Sequence, residues 1–267
     1  MISPPLAGKF AELRKAIMDA SAEAAKGGQN NRKQFGEALK ALAAEIAELT
    51  RRTDAIKMPD AVFDPGNPET VGMFVALALA CQPKRSLGDI HDFYGAGVYA
   101  VYYVGAFAAY APVSGTETPV YVGQAITSTA RGTDLVKRLL EHRKNIERAT
   151  GSIDASGFEY RALVVQRGWE SGAENFLINL FKPIWNKQTK ILYGFGKHGD
   201  SSDTRRNKRS PWDTLHPGRA WAAKGEAGNA KDKAEILRLL KMHFEAHPPI
   251  QTFDDILRAF KATLAQT

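Results

Sequence analysis

Cysteine is almost missing from this chain. Cys81 is alone among 267 residues, which excludes an intrachain disulfide and any cysteine-based zinc site. Long apolar runs are missing too. The best of them, "VGMFVALALAC" from Val71 to Cys81, is too short to span a bilayer. The opening "MISPPLAGKFAELRK" lacks the apolar stretch of a secretory signal. A cytoplasmic protein with no membrane attachment is the expectation. Acidic residues are in deficit: 29 Asp and Glu against 36 Lys and Arg leave a net charge of +7. On charge alone, a polyanion held by counterion release and a merely basic surface are equally good readings. Otherwise, 44% hydrophobic and 24% charged residues describe an ordinary globular chain, long enough for one good core with attached elements.

The spacing predicts helices first. Residues 4–56 carry Ala, Leu, Glu and Lys, with Leu39, Leu42, Ile46 and Leu49 on one helix face. Gly27 and Gly28 break this region into two helices. A helical arm over 1–60 follows, and DNA clamp, dimer arm and packing support are all open for it. "FDPGNPET" reads as a turn, with Asn67-Pro68 opening a helix to Cys81. β-strands are predicted over Gly97–Val104, Pro119–Gly123 and "FEYRALVVQ". Between the first two, residues 105–118 form an excursion rather than a tight hairpin. Thr133 or Asp134 caps a helix through "LVKRLLEHRKNIERA". "SGAENFLINLF" is a helix ended by Pro183. Residues 187–225 are polar, glycine-rich and basic, and read as a long functional loop in a domain spanning 61–225. After a linker at Gly225 and Gly228, a C-terminal extension over 226–267 carries two amphipathic helices, 231–246 and 253–265.

Chemistry-bearing residues recur in order along this frame. Gly97-Val98-Tyr99 and Tyr121-Val122-Gly123 lie in neighbouring strands. Arg138 and His142, four apart on one helix, point the same way, away from Leu135, Leu139 and Ile146. Glu174 lies on a helix whose other face is apolar, and Asn186 comes twelve residues later. Singly, each residue has a plain reading: a strand tyrosine packs, and charged helix residues face water. Together they match what phosphodiester hydrolysis needs. Tyr99, Arg138 and Glu174 with a metal would supply a base for water, a cation for phosphate and relief for the leaving oxygen. Tyrosine ionises near pH 10, so bringing it to about 7 takes roughly 4 kcal/mol. The Arg138 cation and a metal dication each help and burial hinders, so the charges must prevail; alternatively, His142 accepts the proton and Tyr99 is a relay.

These motifs resemble the GIY-YIG nuclease superfamily. "FDPGNPETVG", "FYGAGVYAVYY", "PVYVGQA", "KRLLEH", "ENFLINLFKPIWN" and "GFGKHGD…RRNKRSPWDTLHPGRAWA" look like its branch of type II restriction endonucleases that cut CCGCGG. The likeness covers about residues 62–222, with valine in place of isoleucine in both triplets. The resemblance implies an α+β fold: a small, mostly antiparallel three-stranded sheet flanked by helices, with the N-terminal hairpin and C-terminal helices added. It implies one divalent metal, Mg²⁺ or Mn²⁺, on Glu174. It also implies a homodimer on double-stranded DNA, with a cognate methyltransferase as genetic partner. Tyr99 would be the general base and Arg138 the phosphate cation. His142 would orient or relay, Tyr121 would bind water or phosphate, and Asn186 would support the site. Lys187, Lys190, Lys197, Arg205, Arg206, Lys208 and Arg209 are the candidate DNA contacts, with phosphate binding and guanine readout both open. A GIY-YIG repair or homing nuclease and an inactive DNA-binding module are the alternatives.

Overall fold

A computed structural model describes residues 4–53, 65–126, 132–149, 151–196, 209–224 and 231–264. Lys197, Arg205, Arg206, Lys208 and the linker at Gly225 and Gly228 lie outside the described residues. The chain forms two compact units, Met1–Val62 and Phe63–Thr267. The first holds two helices, α1 (Pro4–Lys26) and α2 (Gln29–Thr53), parted at Gly27 and Gly28 as the sequence suggests. Neither helix buries a residue, and Leu6, Phe10, Leu13, Ile46 and Leu49 are exposed.

The second unit is built on an antiparallel sheet. Its strands are β1 (Arg85–Ser86), β2 (Gly97–Tyr103), β3 (Tyr121–Ala125) and β4 (Phe158–Val164), in the order β1-β4-β2-β3. The sheet thus gains a short edge strand, β1, that composition does not announce, since two exposed residues carry no alternation. β2 is central and buried along its whole length. Its alternate residues divide between two cores: Tyr99, Val101 and Tyr103 enter one, while Val98, Ala100 and Tyr102 enter the other. A strand covered on both faces reads as an unbroken apolar run, which is why "GVYAVYY" shows no polar alternation.

Helices cover both faces. α4 (Asp134–Glu147) adds Leu135, Leu139 and Ile146 to the first core. The second core takes α3 (Pro68–Ala80) and α5 (Glu170–Phe181). α3 starts where Asn67 accepts the Glu69 N–H at 2.8 Å, with Pro68 at the first helical position. α3 and α5 touch through glycines. A Cβ on Gly72 would lie 2.6 Å from the Gly172 carbonyl carbon, so a side chain there would push α5 off its seat. Overpacking of this kind costs about 1–3 kcal/mol, and α5 is the helix that carries Glu174.

The stretch 187–225, expected as a polar loop, is largely core in its described parts. Ile191, Leu192, Phe195, Trp212 and Leu215 are buried in the first core, and short helices α6 (Pro211–Leu215) and α7 (Ala220–Lys224) interrupt it. The polar residues that suggested a loop satisfy one another inside. Arg219 donates to Asp213 at 2.7 Å, and Asp213 accepts from the Ser210 N–H and hydroxyl in a capping box. Paired burial removes the desolvation cost that made these residues read as exposed. α8 (Lys233–Ala246) adds Ile236 and Leu240 to the first core, and α9 (Phe253–Leu264) adds Ile256 and Phe260 to the second. Among the described residues, no helix is long and apolar enough to cross a membrane.

Candidate active site

β2 places Tyr99 opposite Gly123 of β3. The glycine is a steric requirement, because a Cβ there would sit 2.6 Å from Tyr99 Cζ. The tyrosine of the first triplet and the glycine of the second are therefore one packing unit. Tyr99 is fully buried, and its Oη lies 2.7 Å from His142 Nε2. His142 does not point away from Leu135, Leu139 and Ile146, as was expected from its pairing with Arg138; steps of four, three and four residues put all four on one face. It is buried with them on α4 and stacks on Phe195 at 4.5 Å between ring centroids and 20° between planes. Phe195 comes from the stretch expected as a loop, a partner that helix periodicity could not supply.

Tyr121 packs edge-on against His142, with centroids 5.0 Å apart, and lies 6.1 Å from Tyr99. Arg138, one turn before His142, pairs with Glu141 at 2.7 Å. Its guanidinium also acts on the Tyr99 and Tyr121 phenols. Glu174 arrives from the opposite face of the sheet. It interacts electrostatically with Arg138 and Tyr121 and bonds the Gln124 amide. Ser171 Oγ donates to Gln124 Oε1 at 3.1 Å, which leaves the amide N–H for Glu174. Side chains from both faces can meet because β3 is the edge strand.

Asn186 holds that edge. Its Oδ1 accepts the Val122 N–H at 2.9 Å, and its Nδ2 donates to the Val122 carbonyl at 2.8 Å. One side chain thus replaces the missing neighbour strand between Tyr121 and Gly123. The structure gathers Tyr99, Tyr121, Arg138, His142 and Glu174 around one end of the sheet and sets Asn186 behind them. Lys187 and Lys190 are exposed just beyond Asn186, and Arg209 is half-buried. Sequence reasoning missed Gly123 as a steric partner, and also Gln124, Glu141 and Phe195.

Burial decides the electrostatics. It pushes the Tyr99 phenol well above its ordinary value, Tyr121 adds to the rise, and Arg138 opposes it. Arg138 alone therefore does not outweigh burial, and the protein's own groups favour the protonated phenol. Its hydroxyl can donate to His142 Nε2. Burial raises the Glu174 carboxyl as well, against Arg138 and the Gln124 amide.

Among the described residues there is no group of three or more His, Cys, Asp and Glu that could hold a metal. The donor set nevertheless fits one hard cation. Glu174 is a half-buried carboxylate whose anion is penalised by burial, a penalty that a neighbouring dication would relieve. A Mg²⁺-type ion takes few protein ligands and completes its shell with water and phosphate oxygens.

This is the sheet, edge and phenol–imidazole–guanidinium arrangement of a GIY-YIG nuclease. Residues 91–244 match the family model described as the Eco29kI GIY-YIG domain, and the chain belongs to that family. Membership makes it a DNA-interacting nuclease of the phosphodiester-hydrolysing kind, in a family that generally uses a divalent metal. No curated protein matches the chain.

Proposed function

We propose that this protein is a type II restriction endonuclease: a cytoplasmic homodimer that cuts both strands of a GC-rich palindrome, with CCGCGG as the candidate site. A cognate methyltransferase would protect the host DNA. The observation that carries the reading is the 2.7 Å contact between Tyr99 Oη and His142 Nε2, beside Arg138. Tyr99 takes the proton of the attacking water as it passes its own to His142, so the imidazole is the final base and the phenol a relay. Arg138 neutralises charge on the phosphate. Glu174 would hold Mg²⁺ or Mn²⁺, which would supply charge relief to the phosphate. Tyr121 orients water or phosphate, and Asn186 keeps β3 in place. Lys187, Lys190, Lys197, Arg205, Arg206, Lys208 and Arg209 contact DNA. Arginine reads guanine best where it forks onto O6 and N7.

The domain reading accompanies this: a helical arm over 1–60, a catalytic domain over 61–225 and a helical extension over 226–267. Digestion of plasmid DNA with and without Mg²⁺ tests the proposal. Discrete, metal-dependent fragments whose ends map to one palindrome are expected. Random nicking would instead indicate a repair nuclease, and binding without cleavage an inactive module.

A further inference from the structure

We infer that a second anion site, for a backbone phosphate of the DNA, lies between the end of α5 and the end of α8. A cavity of about 350 Å³ opens there, with Ile178 at its base. Its polar lining is Asn179, Lys182, Gln188, Thr189, His243 and His247, and no carboxylate is among them. Such a lining offers N–H donors and one positive charge, with no negative charge against an anion.

Lys182 is the centre of the argument. It ends α5 in the left-handed conformation, φ 46° and ψ 54°. Glycine takes that conformation without cost, and a lysine rarely adopts it. Lys190 ends its own short helix in the same conformation, so this is a way of stopping a helix here, and glycine could replace Lys182 without backbone cost. The ammonium is only weakly engaged, 3.4 Å from Asn179 Oδ1. The Lys182 carbonyl accepts the His243 Nε2 hydrogen at 2.9 Å, which fixes the ring beside the cavity. His247, one turn on, sits with its ring centroid 5.0 Å from that of His243.

The position relates the cavity to the cleavage site. Lys182 follows Glu174 by eight residues on α5, a rise of about 12 Å along the helix axis. That is roughly three to four nucleotide steps at 3.4 Å each. Gln188 and Thr189 come two and three residues after Asn186, whose amide clamps Val122 between Tyr121 and Gly123. The cavity and the site therefore share one sheet edge and one helix. The inference rests on the nuclease reading and extends it by giving the DNA strand a direction, from Glu174 along α5 toward His247. Sequence alone hides the site, because Lys182 and His247 are 65 positions apart.

The test uses the full chain and a short duplex carrying CCGCGG, without divalent metal, across a salt series. Lys182→Gly removes the charge while suiting the backbone, so the variant should melt no lower than the parent. Its affinity should fall about five- to tenfold and its salt slope should drop by about one. Lys182→Arg should restore the slope, and the exposed His247→Gln should weaken binding less. A parent that binds while Lys182→Gly binds equally well, with the same slope, would overturn the phosphate site alone. A parent that does not bind the duplex would overturn the reading of a restriction enzyme for CCGCGG and the phosphate site with it.

Discussion

Tyr99 and Tyr110 sit in the same core, and their immediate bonding is alike. Both are fully buried. Each hydroxyl meets the Nε2 of a buried histidine, His142 at 2.7 Å and His216 at 2.6 Å. The difference lies one bond further out. Trp185 Nε1 donates to Tyr110 Oη at 2.8 Å, and His216 Nδ1 meets Ser152 Oγ at 3.0 Å. Ser152 in turn donates to the Ala149 carbonyl. That chain runs from an indole N–H through phenol, imidazole and hydroxyl to a backbone oxygen. Every donor is matched, and burial followed by the Lys233 and Arg219 cations drives His216 down to about 3. The Tyr99 pair instead lies beside Tyr121 of the edge strand, where Arg138 acts on Tyr99 and Tyr121, and Glu174 acts on Arg138 and Tyr121. A short tyrosine–histidine hydrogen bond is thus structural where its network closes in the interior, and suited to proton transfer where charges border it.

The largest expected effect removes what separates the two pairs. Arg138→Ala and Glu174→Ala should each lower single-turnover cleavage by about 10³ or more, with DNA affinity within a few-fold of the parent. Parallel loss of binding and rate would place these residues in DNA docking instead. The interior pair should answer in stability. Tyr110→Phe strands the Trp185 N–H and His216 Nε2, and should cost about 1–3 kcal/mol in denaturant melts without changing the cleavage rate of folded protein. The smallest effect is a pH slope. His216 titrates near 3 when folded and near 6.5 when unfolded. Its stabilising contribution is complete above pH 6.5 and is lost as pH falls toward 3, because the unfolded chain binds the extra proton. Roughly 2 kcal/mol should disappear between pH 6.5 and 5, and His216→Gln should flatten that slope.

Three of the four described strands and most helices were legible, because unbroken apolar runs and cap residues such as Asn67 write local structure into local sequence. The Tyr99, Arg138 and Glu174 set was legible as an ordered pattern, and the described residues bring its members together. What was illegible depends on partners distant in the chain. Four-residue spacing could not show that His142 is buried against Phe195, 53 positions away. Composition made Ser210, Asp213 and Arg219 look like loop residues, because their mutual pairing inside is invisible in a linear reading. The Tyr110–His216 network spans 106 positions and left no local trace.

The most direct measurement is the cleavage rate of Tyr99→Phe beside that of Tyr110→Phe, in single turnover with Mg²⁺ at matched folded concentrations. A loss of about a hundredfold or more, the order of magnitude for a removed proton relay, is expected in the first and a parental rate in the second. Parental cleavage by Tyr99→Phe, or equal losses in both variants, would contradict the relay.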